Sequence, residues 1–312
     1  MATSPFEELL SRDMAKESAR PIIEKASPLL QEVVNHATMV FQRCQVSIGR
    51  SDDSDEKDVG QNLAPILLYQ HIIEMTDGIE VLIANGCSGP AVPLLRSNLE
   101  ALLFLEFMLK EDYKRRSLSW LCSYVHKRIE TYELRDPSTQ RRKGLKTTLE
   151  REGGIEAPDF DPSQKAANLK AILNKELPTI EAEYQRQKHK SPNWYSLFNG
   201  PHDLCELAIH LDRAELYNLL YRKWSSTMHA TDATRYLATI KGNPFFCQLR
   251  HPGPLTNYAW YAATFMVEAT RLMIRAFSPG EDLSRWEKEE VEKRLYYLKN
   301  VQVKLELDPE SM

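Results

Sequence analysis

Several things are scarce in this sequence, and each scarcity removes a class of protein. Five cysteines (Cys44, Cys87, Cys122, Cys205, Cys247) are scattered through 312 residues without a C-x-x-C pair. An odd, dispersed set excludes a disulfide frame or zinc knuckle and reads as reduced thiols. No apolar run reaches the ~18 residues that a membrane span needs. The best candidate, L-L-F-L-E-F-M-L, is short and interrupted by Glu106. The first residues, M-A-T-S-P-F-E-E-L-L, carry acids where a secretory signal carries Lys or Arg. A cytoplasmic protein without membrane contact is expected. No Walker A loop, G-x-G-x-x-G, G-x-S-x-G or H-E-x-x-H occurs, which sets aside the common nucleotide-binding, hydrolase and metalloprotease classes. Charge of one sign is also lacking: the formal net charge is −4, so any nucleic-acid contact needs a local basic patch.

What is present is helical periodicity. Residues 22–47, 61–86, 89–111, 113–135, 163–187, 203–211, 213–230, 255–277 and 283–299 repeat apolar positions at three- and four-residue steps. Strictly alternating runs are too few for a sheet, although G-N-P-F-F-C-Q-L-R-H-P-G-P has room for a short extended piece. The expected fold is all-α, a single multi-helix bundle. The turn N-G-C-S-G-P makes 61–86 and 89–111 an antiparallel hairpin. The second of these, A-V-P-L-L-R-S-N-L-E-A-L-L-F-L-E-F-M-L, is apolar nearly all round and should be the most buried helix. Three regions are expected: 1–60 with N-terminal helices and the charged linker S-D-D-S-D-E-K-D, a main helical domain over 61–277 with an excursion at 136–162, and a C-terminal amphipathic helix and tail over 278–312.

One segment carries mixed chemistry: L-Y-R-K-W-S-S-T-M-H-A-T, residues 220–231. With His229 at zero on an ideal helix, Arg222 falls near +20°, Ser226 near +60°, Ser225 near −40° and Asn218 near −20°. The opposite side holds Leu216, Leu220, Trp224 and Met228, an i, i+4 stripe expected to face the core, with Tyr217 beside it. Arg96 and Glu100, at i and i+4 on the apolar helix, are charges in need of partners. They read either as a structural pair or as part of the site, with Glu100 reaching His229.

Other constellations are weaker. His202, Glu206 and His210 stand at i, i+4 and i+8, a span too long for one ion to bridge. R-R-K-G-L-K (141–146) with Lys165 and Lys170 reads as a phosphate-tracking patch or as a solvated run. W-E-K-E-E-V-E-K-R-L-Y-Y-L (286–298) suits packing or dimerisation. No metal site and no cofactor are expected.

The order W-Y-S-L-F…L-C-E-L-A…L-Y-N-L-L-Y-R-K-W-S-S-T-M-H, with P-L-L-R-S-N-L-E-A far upstream, resembles the bacterial family known as domain of unknown function 5677. The shared elements are Arg96, Glu100, Trp194, Tyr217, Tyr221, Ser225 and His229, and the likeness covers roughly residues 60–277. That family is similar to the HEPN superfamily of helical bundles, whose ribonuclease members carry Arg-x4–6-His on a later helix. The resemblance implies a HEPN-like core with extra N- and C-terminal helices. It makes Arg222 and His229 the catalytic pair, supported by Arg96, Glu100, Ser225, Ser226, Asn218 and Tyr221. Metal-independent RNA cleavage, a symmetric homodimer with a composite site, and a toxin or anti-phage role with an antitoxin or partner protein are implied as well. Lys223 follows the arginine where active HEPN nucleases often have Asn, Asp or His. The alternative is therefore a non-catalytic helical module that binds a ligand or partner.

Overall fold

A computed structural model describes residues 12–49, 56–136, 161–188, 192–240, 242–246, 250, 252–277, 293 and 295–296. The architecture is all-α, as the periodicity requires. Helices α1 (Arg12–Gly49), α2 (Glu56–Ala84), α3 (Ala91–Lys110) and α4 (Tyr113–Arg135) are followed by α5 (Pro162–Glu176), α6 (Pro178–Gln187) and a 3-10 turn, Trp194–Asn199. Next come α7 (Leu204–His210), α8 (Ala214–Leu216), a π-helical turn (Tyr217–Tyr221) and α9 (Arg222–Met228). A small antiparallel hairpin, β1 (Leu237–Ile240) and β2 (Asn243–Phe246), precedes α10 (Leu255–Phe277).

The chain divides into two compact units. The first holds α1, α3, α8, α9, α10 and α2 from Pro65 onward. Its centre is α3, where Leu95, Leu99, Leu103, Leu105 and Met108 are fully buried, as a helix apolar all round demands. Two polar groups within this core, on Tyr69 and Asn98, bond across helices. Tyr69 on α2 bonds Thr270 on α10 at 2.8 Å and the Ala37 carbonyl on α1 at 3.2 Å. Asn98 on α3 donates to Thr76 on α2 at 2.9 Å. Gly78 lets α2 and α3 approach, since a Cβ there would stand 3.2 Å from the Leu94 side chain.

The second unit contains residues 55–64 and 111–210, with α4, α5, α6 and α7. Its core is Cys122, Ile129, Ala166, Leu173, Ile180 and Leu197. The periodicity suggested one helical domain over 61–277 with an excursion at 136–162, most of which lies outside the described residues; the second unit takes in residues 55–64 together with 111–210.

Other differences have local causes. The segment expected as one helix over 163–187 is cut at Leu177, because Pro178 has no N–H to continue α5 and instead starts α6. Conversely, α1 runs through Pro21 and Pro28, held by the burial of Ala26, Leu29, Leu30 and Val33. The extended piece is the β1–β2 hairpin, in which Gly242 takes the positive φ (82°) of a tight connection. The basic run at 141–146 and nearly all of 283–299 fall outside the described residues.

Candidate functional site

The segment that carries the Arg–His motif is anchored before it begins. Arg213, just ahead of α8, pairs with Glu106 on α3 at 3.2 Å and with Glu268 on α10 at 3.7 Å. Glu106, which interrupts the apolar run in sequence, is therefore an anchor for the next helical stretch. Farther along, Trp224 is buried with edge-on contacts to Tyr261 (5.6 Å) and Phe265 (6.3 Å) of α10.

Between these anchors lies the polar cluster. Arg96 Nε donates to Ser225 Oγ at 2.9 Å, and Nη2 donates to the Tyr221 hydroxyl. Nη1 faces Met228 Sδ at 3.5 Å and Glu100 Oε2 at 3.6 Å. Tyr221 in turn donates to Glu100 Oε2 at 3.1 Å. Its ring takes the Arg96 guanidinium carbon at 4.4 Å from the centroid and stacks on Tyr217 at 5.1 Å. Burial, together with the charge of Glu100, pushes the Tyr221 hydroxyl up to about 12, so near neutral pH it is a fixed donor.

Of the residues singled out in sequence, Arg96, Glu100, Tyr221 and Ser225 meet in one cluster. The segregation of the polar strip predicts Arg222 and His229 in a common cleft with Arg96 or Glu100; the structure instead leaves Arg222, His229 and Asn218 outside the cluster, all three exposed. Of the two readings of Arg96 and Glu100, the contacts favour the structural pair: Glu100 accepts from Tyr221 and faces Arg96, and among the described residues it makes no bond to His229. Ser226 turns back to the Arg222 carbonyl at 3.3 Å. His229 stands at the cap of α9, where its N–H bonds the Ser225 and Thr227 carbonyls.

The expected core stripe also changes. Trp224 is buried, Leu216 and Leu220 are half-buried, and Met228 is exposed. The π-turn shifts Leu216 and Leu220 relative to Trp224, since an i→i+5 turn inserts a residue and breaks the constant angular step; Met228 lies beyond it, at the last position of α9. After α9 the chain closes in a Schellman arrangement. Thr231 N–H bonds Ser226 O at 3.0 Å, Ala230 N–H bonds Thr227 O at 3.2 Å, and Ala230 takes φ 55°.

The rival set at His202, Glu206 and His210 is a helix start. Glu206 accepts from His202 N–H at 2.8 Å, while Asp203 accepts from Glu206 N–H at 2.9 Å. That is capping geometry, with the Glu206 carboxylate committed to backbone. The structure brings together instead three groups that the sequence reading passed over: Cys122, His126 and Glu181, all buried in the second unit. His126 Nε2 lies 2.6 Å from Glu181 Oε2, with Cys122 Sγ 3.7 Å from the same oxygen. Burial and the Glu181 charge push the Cys122 thiol up to about 12. C-x-x-x-H at 122–126 was a legible helical signal, but Glu181, 55 residues downstream of His126, was not.

Among the described residues no helix is long and apolar enough to cross a membrane. Fold and cluster together define an all-helical protein whose Arg–His segment is clamped to its central helix by Arg96, Tyr221 and Glu100. The chain belongs to a family of unknown function (DUF5677), whose model matches residues 62–243, more than half of its length. No curated protein and no solved structure matches it.

Proposed function

We propose that the protein is a HEPN-like, metal-independent endoribonuclease, with Arg222 and His229 from two copies lining a composite site in a symmetric homodimer. The observation that carries this reading is a division of labour along one short segment. Arg96, Glu100, Tyr221 and Ser225 are spent on internal bonds, whereas Arg222 and His229 face outward, exposed, with no side-chain bond among the described residues. An exposed pair on an anchored helix end can meet both substrate and a second copy. Exposed apolar side chains in the same stretch of chain, Leu219, Met228, Leu237 and Phe246, suit a face that a second copy covers.

The chemistry balances without a metal. The ribose 2′-OH attacks the adjacent phosphorus while one His229 removes its proton. The P–O5′ bond breaks, and the second protomer's equivalent histidine protonates the leaving oxygen. Arg222 places a permanent forked charge on the phosphorane oxygens. A toxin or anti-phage effector acting on cytoplasmic RNA, held in check by an antitoxin, fits that activity.

The second reading is a non-catalytic binding module. Lys223, also exposed, makes Arg222–Lys223 a basic pair able to hold a phosphate-bearing ligand without proton transfer. One experiment separates the two. Purified protein should cleave RNA but not DNA in the presence of chelator and leave 2′,3′-cyclic phosphate ends. Arg222→Ala and His229→Ala should each abolish cleavage with the melting temperature nearly unchanged. Cleavage that survives His229→Ala, or that needs added magnesium, removes the catalytic reading; RNA binding without cleavage leaves the module.

A further inference from the structure

We propose that Cys122, His126 and Glu181 form a binding site for a divalent transition-metal ion of the zinc class, bridging α4 and α6 of the second unit. Cys122 and His126 stand at i and i+4 on α4, so Sγ and Nε2 project from one face of one helix. Glu181, in the first turn of α6, brings a carboxylate oxygen to the same point. All three donor atoms lie within 4.8 Å of one another. Tetrahedral zinc bonds of about 2.0–2.3 Å set neighbouring donors roughly 3.2–3.8 Å apart, so small side-chain adjustments admit an ion.

The surroundings have the form of an outer ligand shell. Gln185 donates to Glu181 Oε1 at 2.6 Å, fixing the carboxylate and leaving Oε2 turned toward the histidine and cysteine. Tyr184 stacks flat on the His126 ring, with centroids 3.9 Å apart and planes within 5°, which sets the ring's direction. Around them lie Ile129, Ala166, Leu173 and Ile180, an apolar core in which a carboxylate and an imidazole are costly to keep without strong partners.

The donor set selects the ion. A thiolate and an imidazole with one carboxylate favour zinc and its neighbours over calcium or magnesium, which prefer all-oxygen shells. Binding deprotonates the Cys122 thiol, whose proton leaves to solvent. The proton between Nε2 and Oε2 likewise leaves, or moves to Nδ1, as the metal takes both lone pairs. Three protein ligands leave a fourth position for water or a small anion. This site is separate from the Arg222–His229 reading and does not rest on it.

The test uses the full chain, stripped with chelator and titrated with zinc alone, then with cobalt as a spectroscopic stand-in. The expected result is about one equivalent bound per chain, with a thiolate-to-cobalt charge-transfer band in the near ultraviolet. Cys122→Ala should lose that band and most zinc affinity, and Glu181→Gln should weaken binding at least ~10-fold. His202→Ala with His210→Ala should bind as the parent does, and so should His229→Ala. Should Cys122→Ala fail to fold, Cys122→Ser takes its place, and the band should survive in a Cys87→Ser, Cys205→Ser variant that removes the more accessible thiols. Bound cobalt without a thiolate band, or no zinc retained above a nonspecific background, overturns the site.

Discussion

The Tyr221 hydroxyl stands between Arg96 and Glu100, accepting from the guanidinium and donating to the carboxylate at 3.1 Å. Arg96 and Glu100 alone make only a 3.6 Å contact along α3. Arginine preceding glutamate by four residues is the weaker orientation for a pair within one helix. Tyr221 converts it into a bond between elements, so the charges on the apolar helix act as a fastening for the segment carrying Arg222 and His229.

Tyr221→Phe keeps the ring stacking and removes both hydroxyl bonds. Urea denaturation should show a loss of about 1–2 kcal/mol, the scale for hydrogen bonds to charged partners at a half-buried site. Ser225→Ala, which removes one bond to the same guanidinium, should cost less.

Alkaline pH should loosen the same clamp. The Tyr221 pKa is raised in the folded chain, from 10.0 to about 12, mainly by burial. Its contribution is therefore complete below pH 10 and is lost as pH rises toward 12, because the unfolded chain releases the proton first. Tyrosinate absorbance during a pH titration should show a late-titrating tyrosine that Tyr221→Phe removes.

Trp224→Ala should be the most damaging change on α9, at about 3–5 kcal/mol, because it empties a large buried site against Tyr261 and Phe265. A thermal melt reads this directly, and a cost below ~1 kcal/mol would contradict the placement of the indole.

Ala230→Gly should act in the opposite direction. Alanine occupies a left-handed position, φ 55°, at the end of α9. Glycine removes the Cβ strain there at some entropic cost, so a net gain of about 0.5–1 kcal/mol is expected by chemical denaturation.

Much of the helical frame was legible in the sequence, and the reasons are specific. Helices α4 and α10 run over 113–135 and 255–277 as the periodicity predicts; α10 has one apolar face, whereas the face α4 buries also carries Arg116, Ser117, Ser119, Ser123 and His126. The burial of α3 followed from a sequence apolar nearly all round. What failed depended on register or long-range pairing. The angular map centred on His229 assumed a uniform helix, and the π-turn at 217–221 is a shift in hydrogen bonding that hydrophobic spacing does not encode. The family resemblance placed Tyr221 among supporting residues, yet its hydroxyl is the centre of the cluster. The meeting of Cys122, His126 and Glu181 requires α6 to fold back along α4, and no local pattern announces that.

The π-turn between Leu216 and Arg222 also bears on how the chain can lengthen and shorten over evolutionary time. Such a turn is one residue more than an ordinary helical turn needs, accommodated without displacing the anchors on either side. Arg213 grips α3 and α10 before it, and Ser225 grips Arg96 after it, so the added residue is confined between two fixed points. Relatives with a plain helix here should therefore differ by a single-residue gap within 217–221, with both anchoring contacts intact and the outward pair still seven positions apart.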